Sequence, residues 1–238
     1  MIRDRNNLKK IPAAPDTPMD IGETKEISPV GKSKPHQVKL LETIPLPKGT
    51  RAKERWRLEL SKREKTRAIS LVKIKVEIPA MYRGELSSAD YVADLWTTLK
   101  QIGIPVVPTL VVLSDNEVAM TDLTADGSGL YGKDNWGNNF SPQKTDAIFH
   151  DIDLEEVKKQ ALTFARLAAN NHIGLSPDHS FDLLVHPDGS WQPLARDIKN
   201  TQLVGSSPDQ DFIFQQNSER VDRFVAHLER TKRDTSSV

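Results

Sequence analysis

Two carboxylates set the chemistry open to this chain: Asp182 stands at the outer end of the apolar run Phe181-Asp182-Leu183-Leu184-Val185, and Asp197 follows the run Trp191-Gln192-Pro193-Leu194-Ala195. Between the runs stands Asp188-Gly189. This pair predicts a β-hairpin, because glycine takes positive φ at no steric cost. A hairpin there carries Asp182 and Asp197 toward the same end of one ribbon. Carboxylates held that way are hard oxygen ligands for a divalent cation, and the cation can hold phosphate.

The elements that must position this ribbon follow from the rest of the chain. At 238 residues, the length fits one domain, or two small lobes with a tail. Lys plus Arg and Asp plus Glu both total 33, so no global charge draws the chain to nucleic acid or membrane, and any electrostatic function is local. There is no cysteine, hence no disulfide, thiol nucleophile or thiolate metal site, which fits a reducing compartment. The most apolar run, Ile104 to Leu113, is too short to span a bilayer and contains Pro105 and Pro108. With a polar amino terminus lacking a signal-peptide core, the expectation is a soluble, cytoplasmic protein without a membrane partner.

Residues 1–36 carry Pro12, Pro15, Pro18, Pro29 and Pro35 among charged and small residues, and read as a flexible tail. A sheet-bearing segment over 37–123 follows. Val38 to Leu46, Arg55 to Leu60 and Ala68 to Ile78 read as three strands, and their short connections predict antiparallel neighbours. Ser87 caps a helix with Asp90 at its third position and Val92, Leu95, Leu99 and Ile102 on one face, ending at Gly103. Two further strands, Val106 to Leu113 and Glu117 to Leu123, flank a Ser114-Asp115-Asn116 turn.

Over 124–238 the expectation is mainly helical. Thr124 to Ser141, rich in Gly, Asn and Asp, reads as a loop. Asp153 with Glu156 marks a helix start, and Leu154, Val157, Ala161, Phe164 and Ala168 share its apolar face. The hairpin comes next. Ser207-Pro208-Asp209-Gln210 then opens a last helix that buries Val221, Phe224, Val225 and Leu228.

Three strands, a helix, two strands, a helix, a loop and a hairpin: this order resembles the protein kinase-like superfamily, in its small aminoglycoside-phosphotransferase-like form. The resemblance spans Val38 to Asn200. It implies an α+β, two-lobed fold, with a five-stranded antiparallel sheet and one helix in the first lobe and a reduced helical lobe with a β-hairpin in the second.

What the resemblance implies for residues is specific. Val72-Lys73-Ile74-Lys75 resembles the strand motif that points a lysine at nucleotide phosphates. Lys75 matches that lysine, and alternation puts Lys73 on the same face as a substitute. Kinases pair this lysine with a helix carboxylate, a role for which Glu85, Asp90 and Asp94 all fit poorly. Leu46 to Lys53 occupies the place of the glycine-rich loop, where Lys48 and Gly49 would meet phosphate, but it holds one glycine. Met120-Thr121-Asp122-Leu123 stands at the inter-lobe connection, whose backbone would contact adenine. Ser176-Pro177-Asp178 resembles the catalytic triplet, with serine in place of histidine; Asp178 would orient or deprotonate the accepting hydroxyl. Asp182 and Asp197 match the two metal-binding positions, although Asp197 is followed by Ile198-Lys199 in place of Phe-Gly. His172, single and near a helix end, reads as a capping or packing residue.

Three functions are therefore open. The first is an ATP- and magnesium-dependent phosphotransferase acting on a hydroxyl acceptor. The second, which the departures from the motifs bring nearly level with the first, is an inert, pseudokinase-like module that binds a nucleotide or a partner. The third is nucleic-acid binding by the ribbon at 48–67, where nine basic residues outnumber three glutamates. After Asp197 the chain is too short for the helical platform that holds peptide substrates, which argues against a protein kinase.

Overall fold

In a computed structural model the chain is described over residues 20–27, 29–31, 36–45, 52–62, 65–132, 144–177, 180–195, 201–203 and 209–235. Its first half is a sheet of strands β1 (Thr24–Ile27), β2 (His36–Pro45), β3 (Ala52–Lys62), β4 (Lys65–Lys75), β5 (Leu110–Ser114) and β6 (Glu117–Thr121). All neighbours are antiparallel, in the order β1-β2-β3-β4-β6-β5. β2 to β6 are the five strands expected from the sequence. β1 is a sixth, inside the stretch read as tail. β3 and β4 also run on into a ribbon where a connection at Ser61 to Arg67 was expected, their pairing continuing through Ser61 opposite Thr66 and Lys62 opposite Lys65.

The sheet curls until its two edges meet. β1 pairs with β2 at one edge, yet Val30, three residues beyond its end, donates its amide hydrogen to the Leu110 carbonyl of β5 at the other edge (2.9 Å). Three residues span at most about 10 Å, whereas in a flat sheet these edges would lie roughly 24 Å apart at strand spacing. Register shifts between Leu40 and Glu42, Ala52 and Glu54, and Val112 and Ser114 supply the bending. The enclosed face packs one residue from each of five strands: Leu40, Trp56, Leu71, Val111 and Ala119.

The opposite face carries Val72, Ile74, Val76, Val118 and Met120, and α2 (Ser88–Gln101) packs against it through Val92, Leu95, Trp96 and Leu99. Ser87 caps α2 as expected, its Oγ accepting from the Asp90 amide (3.0 Å). A single turn, α1 (Ala80–Arg83), precedes it.

This apolar layer is continuous with the core of the second half. There β7 (Gly129–Tyr131), β9 (Phe181–Val185) and β10 (Trp191–Ala195) form a three-stranded sheet, the last two being the expected hairpin about Gly189 (φ 88°). β7 lies in the stretch read as loop. Its three residues owe their conformation to pairing with β9. Helices α3 (Asp146–Asp151), α4 (Leu154–Asn170) and α5 (Gln210–Thr235) complete the fold, with the short pair β8 (Ile173–Gly174) and β11 (Gln202–Leu203). α4 presents Val157, Ala161, Ala165 and Ala168 toward the core, and α5 buries Val221, Phe224, Val225 and Leu228 as expected. The architecture is α+β. Among the described residues no helix is long and apolar enough to cross a membrane.

Candidate functional site

Strand alternation decides where the two lysines go. Lys73 and Lys75 do share a face of β4, but it is the face of Leu71, continuous with the inside of the curled sheet, while Val72, Ile74 and Val76 face α2. Lys73 lies over the Trp56 ring, 5.6 Å from its centroid, and pairs with Glu117 at 3.5 Å. Lys75 is 43% exposed and pairs with Glu77 at 2.6 Å; the hydrogen bond and charge of that carboxylate raise its pKa. Neither lysine turns to the helix. The carboxylate partner for Lys75 is Glu77, two residues on, and not Glu85, Asp90 or Asp94.

The connection leaving β6 is closed in on itself. Asp122 donates its amide hydrogen to the Ser70 carbonyl (2.9 Å), and Thr121 donates to Thr109 (3.1 Å). Asp122 Oδ1 accepts from the Thr124 amide (3.1 Å) and hydroxyl (2.8 Å). Its Oδ2 lies 2.5 Å from Arg55 Nε. The ladder places Arg55 opposite Val72 and Val72 opposite Met120, so the guanidinium crosses β4 on the α2-facing side to reach Asp122. The Asp122 side chain is only 5% exposed, and a carboxylate this buried requires a partner.

Asp182 is buried in β9, where its backbone pairs with Leu194. The β7–β9 register brings Gly132 beside it. A Cβ built on Gly132 would stand 1.8 Å from Asp182 Oδ1, so the carboxylate fills the space that the missing side chain leaves. Asp178, Asp197, Lys48 and Gly49 lie outside the described residues. Among the described residues no group of three or more His, Asp or Glu side chains is gathered to hold a metal ion. Asp182 brings one carboxylate to such a site.

The loop leading toward Asp178 is held from behind by α5. Asn217 accepts from the Leu175 amide (2.9 Å) and donates to the carbonyls of Ile173 (3.0 Å) and Ala165 (3.3 Å). Arg220 donates to Asn217 Oδ1 (3.2 Å) and to the Leu175 carbonyl. His172 ends α4 at φ 55°, its amide donating to the Ala169 carbonyl (2.9 Å), which is a helix-ending role.

At the far end of the hairpin, Ser128 and His186 join the β6–β7 loop to the turn, Oγ to Nδ1 at 2.8 Å. Burial works to raise the nearby Asp126 carboxyl, but hydrogen bonds from Ser128 and the charge of His186 outweigh it and hold it low.

Sequence reasoning missed Arg55 and Asn217. Each carried a signal: Arg55 alternates with Trp56 on a strand with one buried face, and Asn217 interrupts an apolar helix stripe that continues at Val221, Phe224 and Leu228. Of the basic ribbon, Arg55 is engaged by Asp122 and Arg57 is exposed. No protein-family model matches the chain, and no curated protein matches it either.

Proposed function

We propose that the chain is a kinase-like module without phosphotransfer activity, working by binding a partner. The observation that carries this reading is the facing of β4: its α2 side presents Val72, Ile74 and Val76, and both lysines lie on the other side against Glu117 and Glu77. Phosphoryl transfer depends on fixed cations that neutralise developing charge. An aliphatic face cannot do this.

The order of elements supports the kinase-like part of the reading. Three antiparallel strands, a capped helix and two more strands precede a helix pair that carries a short β-pair and a hairpin. The self-contained β6 exit supports the inert part, since the amides of Thr121, Asp122 and Thr124 already donate internally.

Thermal unfolding with ATP, with magnesium and with both tests the reading, alongside ADP release. Ligand binding to the folded state raises Tm by mass action. The expected outcome is no magnesium-dependent ATP shift and no ADP release. Turnover that disappears in Asp197→Ala would overturn the proposal in favour of an active phosphotransferase on a hydroxyl acceptor.

A further inference from the structure

We infer that Arg220 and Arg223, neighbours on α5, form a receptor for the phosphate group of a phosphorylated side chain on a partner protein. The inference deepens the partner-binding reading and rests on it. It names what that partner presents.

Both guanidinium groups reach one short stretch of backbone. Arg220 donates through Nη1 to the Leu175 carbonyl and to Asn217 Oδ1 (3.2 Å), and Arg223 donates through Nη1 to the Pro177 carbonyl (3.5 Å). Residues three apart on a helix are surface neighbours, so the two side chains lie side by side over the 175–177 loop. On Arg220 this leaves the Nε–Nη2 edge without a partner among the described residues. That edge is a fork able to grip an oxyanion with two parallel hydrogen bonds.

The charge is as unbalanced as the hydrogen bonding. Arg220 is half-buried, and among the described residues no carboxylate stands within ion-pair distance of it. Burial, then the neighbouring charge of Arg223, lowers its pKa, and Glu219 offsets only part of this. Arg223 is 64% exposed and meets Glu219 at 4.0 Å, itself 61% exposed. An exposed pair at that distance contributes little. The result is one cation at the floor of the site and a second at its rim.

Two guanidinium charges select a phosphate monoester over a carboxylate. A phosphorylated side chain carries about −1.5 to −2 charges at neutral pH and three acceptor oxygens, enough to take the Arg220 fork and Arg223 together. A carboxylate brings two oxygens and a single charge. Bound phosphate also ends the repulsion within the arginine pair, and the open rim admits a group carried on a protruding chain.

The test immobilises the full chain and offers a peptide library with a fixed central phosphoserine and randomised flanks, against the same library with serine or glutamate at the centre. The parent is expected to retain the phosphoserine library about tenfold or more above either control, and Arg223→Gln to lose about tenfold of that retention. Arg223→Gln changes an exposed side chain, so its Tm is expected to match the parent. Arg220→Gln should lose as much or more; where it does not fold, Arg223→Gln carries the test. Equal retention of all three libraries, or undiminished retention by Arg223→Gln, overturns the receptor. Complete displacement by inorganic phosphate at the concentration of the peptide puts free phosphate in the site and overturns the partner assignment. ATP turnover by the parent is read separately and overturns the inert reading instead.

Discussion

The Val30 amide donates to the Leu110 carbonyl at 2.9 Å, and through that bond the two edges of the sheet are joined. The residues so enclosed, Leu40, Trp56, Leu71, Val111 and Ala119, are all buried, and among the described residues no helix contributes to their cluster. Closure helps keep this second apolar cluster from water, and it pairs the Leu110 carbonyl on the outer edge of β5.

If closure matters, the Val30 amide exchanges with solvent as slowly as the central β4 ladder amides, in contrast to the exposed Ile21. Val30→Pro deletes the donor and leaves the Leu110 carbonyl unpaired in a dry setting, at a cost of about 1–3 kcal/mol. Amide exchange followed by mass spectrometry checks the first statement and urea unfolding the second. Rapid exchange at Val30 would mean that the edges part freely.

Asn217 uses both of its N–H donors and both acceptor positions, on Ala165, Ile173, Leu175 and Arg220. Asn217→Leu would match the apolar neighbours on α5 yet leave buried backbone groups of the 173–175 segment without partners. The expected loss is about 2–4 kcal/mol in a denaturant titration, more than a core truncation such as Val221→Ala in the same helix. A neutral Asn217→Leu would show that the loop finds other partners.

Gly132 tests the placement of Asp182. An added methyl would meet Asp182 Oδ1 at 1.8 Å and its Cα at 3.3 Å, so Gly132→Ala is expected to destabilise by about 1–3 kcal/mol through overpacking. Gly132→Ala combined with Asp182→Ala should recover part of the loss, since the clash is with that side chain. Additive losses in the double variant would place the strain elsewhere.

Much of this fold was legible where local and tertiary preferences agree. The Ser87 cap, the α2 stripe, the α5 stripe and the Asp188-Gly189 turn each combine a local signal with the burial that rewards it. β1 and β7 carry no such signal: the four residues Thr24-Lys25-Glu26-Ile27 and the three residues Gly129-Leu130-Tyr131 are too short to show a period, and become strands because β2 and β9 offer free edges. The candidate site was harder to read for a different reason. Period-2 alternation states that Lys73 and Lys75 share a face, but not which face α2 covers. That choice follows from Val72, Ile74 and Val76, whose aliphatic side chains outweigh two ammonium groups in the competition for the helix-covered side. Arg55 escaped notice because a charged residue on a basic ribbon reads as solvated until its partner, Asp122, is found 67 positions away.

The hairpin turn offers a test in acid. The Asp188 carboxyl accepts from the Ser190 hydroxyl (2.6 Å) and amide (2.9 Å), and these bonds hold its pKa below the ordinary 3.8. A carboxyl depressed in the folded state contributes stability that is present above its unfolded value and lost as pH falls through the folded one. The window therefore lies below about pH 4. In Ser190→Ala the strongest of the lowering bonds is gone, so an NMR titration of Asp188 is expected to show its midpoint moving up toward 3.8, with the fold otherwise unchanged at neutral pH. An unmoved midpoint would mean that the turn amide and the charge of His186 hold the carboxyl by themselves.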